Sequence, residues 1–177
     1  MPTAAKLNDK GTQHDGYHKT VITAGSLPAS RNGRGKQWLN LRFKPEYAIM
    51  AAVDYGIENL ASLKRAGYNI DGLNDAEKAK LIYLTHHLGL SDAIHFIKNN
   101  ITEDNAKKLL IAQVGDESAI SKAKKNGGYM KAHRKWLMDY IDNNIKIVKY
   151  FCHEQIISDN PKDIDLTQTI EKINELI

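Results

Sequence analysis

Glu58 is the acidic side chain best placed for acid–base chemistry in this sequence, because it sits in the apolar stretch YGIENLASL. A carboxyl drawn out of water is harder to ionise, so partial burial raises its pKa and turns it into a proton donor. Asp15, in Asp15-Gly16-Tyr17, is the candidate ionised partner. One protonated and one ionised carboxyl flanking a bond is the arrangement used in glycoside hydrolysis. Both residues also have a plainer reading. Glu58 can pair with Lys or Arg along a helix face, and Asp-Gly is a strong turn dipeptide.

Other side chains extend the inventory. His86 and His87 adjoin a helix stop; neighbours on a helix point about 100° apart, so one can face a cleft while the other is buried or exposed elsewhere. Tyr68, Tyr129 and Trp136 have rings able to stack on sugars, or to fill a core at helical spacing. His14 and His18 would make a metal pair on a helix, but GTQHDGYHK reads as loop and no third ligand is evident, so neither a metal nor another cofactor is expected. Ser26 and Ser30 lack a strand–turn–helix setting, Cys152 and its neighbour His153 point to opposite sides of an extended chain, and SRNGRGK lacks phosphate-loop spacing.

The elements that must position these groups read as helices. Pro45 opens a long apolar helix that ends near Gly67. Asn74 with Glu77 forms a capping box for AEKAKLIYLTHHL, which Gly89 stops. Ser91 caps a short helix through Asn100, Thr102 caps EDNAKKLLIAQV, and Gly115 takes the left-handed position after it. Asp116 starts an amphipathic segment through Lys125 that the Gly127–Gly128 pair breaks. The next helix carries Met130, His133, Trp136, Leu137, Tyr140 and Ile141 on one face, read as core. The tail places Leu166, Ile170, Ile173 and Ile177 at helical spacing, to dock on the body or on a partner.

The expected class is therefore mainly α, with residues 1–44 a basic Gly-rich arm or small hairpin, 45–160 a helical domain and 161–177 a C-terminal amphipathic helix. With 177 residues and 42% hydrophobic side chains the chain can build a real core. No apolar run is long enough to span a bilayer, so no membrane anchor is expected, and the first residues do not resemble a signal peptide. Charge is uneven. Residues 1–44 hold eight Lys or Arg against Asp9 and Asp15. A second cluster, Lys122, Lys124, Lys125, Lys131, Arg134 and Lys135, has no acidic neighbour within 121–135 and will attract polyanions.

Residues 73–142 resemble the C-terminal helical lobe of phage-type lysozymes, in the form found as muramidase domains of peptidoglycan-degrading effectors delivered by type VI secretion. The resemblance is carried by LNDAEKAKLIYLTHHLG, DAIHF, AKKLLIAQVG and GYMKAHRKWLMDYID. It implies a compact lysozyme-like domain that cleaves the glycan backbone of bacterial cell wall. It implies that His86, His87 and Gly89 face the sugar cleft, that Arg134 and its basic neighbours hold the glycan's carboxylates, and that Thr20, after Asp15, orients a water. In the family the acid ends an early helix; here that position falls near Lys6, and no Glu precedes Glu46. The acid is then Glu58, or lies upstream in a longer protein, or the domain is inactive. Implied partners are peptidoglycan strands and an immunity protein; the implied route is synthesis in a bacterial cytoplasm and delivery to a target's periplasm.

A second reading fits the same residues. A helical body with basic clusters can be a non-catalytic domain that binds cell-wall glycan, an acidic partner or nucleic acid. Nucleic acid is the least favoured of these, because residues 103–140 offer no tight helix-turn-helix connection and no base-reading polar face.

Overall fold

A computed structural model of the chain describes residues 43–150 and 164–174. The chain separates into two compact units, Met1–Glu58 and Asn59–Ile177. The expectation of a loop or hairpin in 1–44 falls, up to residue 42, outside the described residues, as do Asp15 and Thr20. Among the described residues the protein is mainly helical, with seven α-helices. These are α1 (Pro45–Arg65), α2 (Asp75–Leu88), α3 (Leu90–Ile97), α4 (Glu103–Val114), α5 (Asp116–Asn126), α6 (Tyr129–Asn144) and α7 (Leu166–Asn174), with a 3-10 turn at Ile147–Tyr150.

Local chemistry sets most boundaries. Pro45 opens α1, and Tyr68 N–H closes its end on Leu63 O at 3.1 Å, past Gly67. Asn74 and Glu77 form the expected reciprocal box: Glu77 N–H donates to Asn74 Oδ1 at 2.9 Å, and Asn74 N–H to Glu77 Oε2 at 2.7 Å. Thr102 Oγ1 accepts from Asn105 N–H at 3.3 Å at the start of α4.

Two junctions differ from expectation. Ser91 does not cap α3, which begins at Leu90 directly after Gly89 and ends at Ile97, with Asn99 at φ 54°. Gly115 has positive φ but extended ψ (79°, 164°), as Gly89 does (75°, 157°), so neither is in the left-handed helical well. That backbone region is open almost only to glycine, and it lets one residue end a helix and begin the next.

The core of the second unit gathers Leu63, Leu73, Leu81, Leu84, Phe96, Leu137 and Ile141 with Leu166, Ile170 and Ile173 of α7. The C-terminal helix thus docks on the body of its own chain, where each of its three apolar side chains contributes about 2 kcal/mol by burial. Polar ties fix it there. Lys172 Nζ lies 3.0 Å from the fully buried Glu77 carboxylate, and Asn69 N–H donates to Ile173 O at 3.0 Å. A smaller cluster, Leu110, Ala119, Ala123 and Ala132, lets α6 pack closely on α4 and α5.

Helix α6 begins without a side-chain cap of its own, because Gly128 has none to give. The Glu103 carboxylate, from the first turn of α4, takes the place: it accepts Tyr129 N–H at 2.5 Å and Met130 N–H at 2.9 Å. An anion there also meets the positive end of the α6 dipole. A methyl group on Gly128 would sit 2.9 Å from Glu103 Oε1, so the bare backbone is what admits the carboxylate.

Candidate functional site

Helix periodicity divides α6 into two faces. His133, Leu137 and Ile141, four residues apart, are buried together with Ala132. Trp136 and Tyr140 are rotated about 100° from that line. Trp136 is half-buried and packs on both core clusters, as expected, whereas Tyr140 is 39% exposed and falls outside the core face expected from Met130 to Ile141. Both rings line an open groove of about 430 Å³ along α5 and α6, within the size range of ligand sites. Lys122 and Lys125 of α5 and Lys135 of α6 supply cations, and Asn126, Asn143 and Asn144 supply amides. Asp139 is the acidic lining residue, and its carboxylate is held 3.0 Å from Lys135 Nζ.

Behind the groove the rings continue into the body. Trp136 meets Tyr140 at 5.6 Å between centroids, Tyr140 meets Tyr83 at 5.8 Å, Tyr83 stacks on His87 at 5.7 Å, and His87 returns to Trp136 at 6.0 Å. The four contacts close a cycle that packs Trp136 and Tyr140 against rings of the body. Burial first, then the hydrogen bond and charge of Tyr140, push the Tyr83 phenol up to about 12. Burial first, then the nearby His86 charge, lowers the His87 pKa from its ordinary value.

His133 continues the row inward, 6.4 Å from Trp136 and edge-on to Phe96 at 6.1 Å. It is 1% exposed and its Nε2 has no hydrogen-bond partner. Burial, then the His87 charge, drop its pKa to about 4, with Asp92 opposing.

Of the residues singled out from sequence, His87 and Trp136 come together, while His86 next to them is exposed. Arg134 is directed to α3, where its guanidinium lies 4.7 Å over the Phe96 ring and donates to Phe96 O at 2.5 Å. Tyr68 is buried in the core, and Tyr129 packs between both core clusters under Lys107, 5.5 Å from its centroid. Glu58 is half-buried on α1, as the last residue of the first unit. Asp15 and Thr20 lie outside the described residues.

Sequence reasoning missed Tyr140 and the asparagines as groove residues. The signal for them was present: an aromatic pair at i, i+4 with polar residues beside it, opposite the lysines of the 121–135 cluster. No group of three or more His, Cys, Asp or Glu that could hold a metal occurs among the described residues, and no helix there is long and apolar enough to cross a membrane. No family model, curated protein or solved structure matches this chain.

Proposed function

We propose that this chain is a lysozyme-like helical domain that engages bacterial peptidoglycan, with the α5–α6 groove holding the glycan strand. The observation that carries this is the pairing of two aromatic rings, Trp136 and Tyr140, with lysines in the lining of one groove. Sugar rings present apolar C–H faces that stack on such side chains. Peptidoglycan adds carboxylates, which lysines attract. The resemblance of residues 73–142 to muramidase lobes points to the same polymer.

For hydrolysis the proposed residues are Glu58 as proton donor or structural carboxylate, Asp15 as its ionised partner and Thr20 as the group orienting water. In that scheme Glu58 protonates the leaving oxygen while Asp15 acts on the sugar or on a water. Delivery by a secretion apparatus, and an immunity protein as partner, belong to the same reading.

A second reading, a glycan-binding domain without turnover, is favoured by one observation. Three carboxylates of the helical body already have folding duties: Glu77 with Lys172, Asp142 with Lys80, and Glu103 on the α6 backbone. Incubating the purified chain with isolated peptidoglycan separates the two readings. New muramic-acid reducing ends, with fragment masses to match, establish a muramidase. Folded protein that pellets with the glycan without new ends is a binder. Neither ends nor pelleting overturns both.

A further inference from the structure

The groove's lysines are not equivalent. Lys135 is 3.0 Å from Asp139, so that pair brings no net charge to a ligand. Lys122 and Lys125 stand one helical turn apart on α5, and no acidic side chain occurs between residues 118 and 138. Lys122 is half-buried and Lys125 is exposed.

The amides are also arranged. Asn126 donates N–H to Lys122 O at 2.7 Å, Asn143 to Asp139 O at 2.7 Å and Asn144 to Tyr140 O at 2.8 Å. Each bond runs to the carbonyl four residues back and fixes which end of the amide is nitrogen. The amide oxygen, on the other arm of the same carbon, keeps its acceptor capacity, and all three residues line the groove. Two rings, two cations and three amides in one lining describe a ligand with apolar ring faces, carboxylates and N–H or O–H donors.

Resting on the reading that the chain engages peptidoglycan, we propose that Lys122 and Lys125 make the groove selective for carboxylates on an N-acylated sugar chain. Trp136 and Tyr140 take the sugar faces, and the asparagine oxygens accept the acylamino N–H groups. A phosphodiester chain satisfies the lysines but offers few donors to the asparagines. A neutral N-acylated chain satisfies the rings and amides but not the lysines.

The test titrates the full chain, in the cold to suppress turnover, with four probes followed by calorimetry. They are soluble peptidoglycan strands with free carboxylates, the same strands with carboxylates converted to amides, a neutral chito-oligosaccharide, and a single-stranded DNA of matched charge. Amidation is expected to weaken binding about tenfold, the loss of about one charge-assisted contact. The double variant K122Q/K125Q is expected to bind native and amidated strands alike, whereas K135Q keeps the preference; circular dichroism checks that each variant folds. Equal binding of native and amidated strands by the unaltered chain overturns the selectivity while leaving glycan engagement standing. Tighter binding of the DNA, falling steeply with salt, overturns it in favour of a general polyanion site. Failure of every glycan to bind removes the peptidoglycan reading and the selectivity with it.

Discussion

Lys80 Nζ lies 2.9 Å from Asp142 Oδ1, and the same carboxylate oxygen accepts Leu166 N–H at 2.9 Å. Lys80 is 1% exposed and also donates to Ile164 O at 2.5 Å. One buried ammonium therefore ties α2 to the end of α6 and to the chain entering α7. Asp142→Ala leaves that charge under-compensated and is expected to cost about 3 kcal/mol. Lys80→Met with Asp142→Asn is expected to cost less than Asp142→Ala alone, because no uncompensated charge then remains buried. Urea midpoints at constant slope check this; a double variant less stable than the single one would contradict it.

Glu103 and Gly128 form a second coupled pair. Gly128→Ala places a carbon 2.9 Å from Glu103 Oε1 at φ 122°, a conformation costly for any L side chain. A loss of about 2 kcal/mol is expected. Glu103→Ala removes the α6 cap at about 1 kcal/mol. In the double variant the clash is gone, so the losses are expected to sum to less than their parts; strict additivity in the melting curves would contradict the contact.

The pH dependence follows from His133. Its folded pKa of about 4 lies below the unfolded value of 6.5, so between the two the unfolded chain binds more protons. Its share of stability is fully present above pH 6.5 and is lost as pH falls towards 4, by about 3 kcal/mol at most. His133→Leu removes an unpartnered buried nitrogen along with the titration. The variant is expected to be at least as stable at pH 7 and to have a flatter acid limb. Parallel acid limbs for variant and parent would show that another group is responsible.

Two substitutions address function directly. Tyr140→Ala removes a partly exposed ring from the groove and is expected to weaken pelleting with peptidoglycan about tenfold with a small stability loss. Glu58→Gln is expected to abolish new reducing ends while preserving the melting temperature and the pelleting. Lysis retained by the Gln variant would move the acid to another residue.

Much of the fold could be read from local signals because helix ends are local events. Pro45, the Asn74–Glu77 box, Thr102 and the Gly127–Gly128 break each act within a few residues, and each marks a helix boundary in the structure. The ties that join helices are not local. Lys80 finds Asp142 across 62 residues, Lys172 finds Glu77 across 95, and Glu103 caps a helix 26 residues away. Asn74 and Glu77 show the limit within one motif. The spacing predicts the box, but nothing in it predicts that Glu77 will also hold Lys172. The site was legible in part for the same reason. The lysine cluster is visible as a run of charge, whereas the exposure of Tyr140 beside a core-packed Trp136 depends on what packs beside α6.

The docking of α7 sets a schedule for synthesis. Leu166, Ile170 and Ile173 fill the core that α2 and α6 leave between them, and Lys172 answers Glu77, a residue translated nearly a hundred codons earlier. A ribosome that has made residues 59–150 has therefore delivered most of the body but not the helix that seals it. Until α7 clears the exit tunnel, the nascent chain keeps an oily seam open and a buried carboxylate without its ammonium. A stop codon between Tyr150 and Leu166 would make that open state permanent.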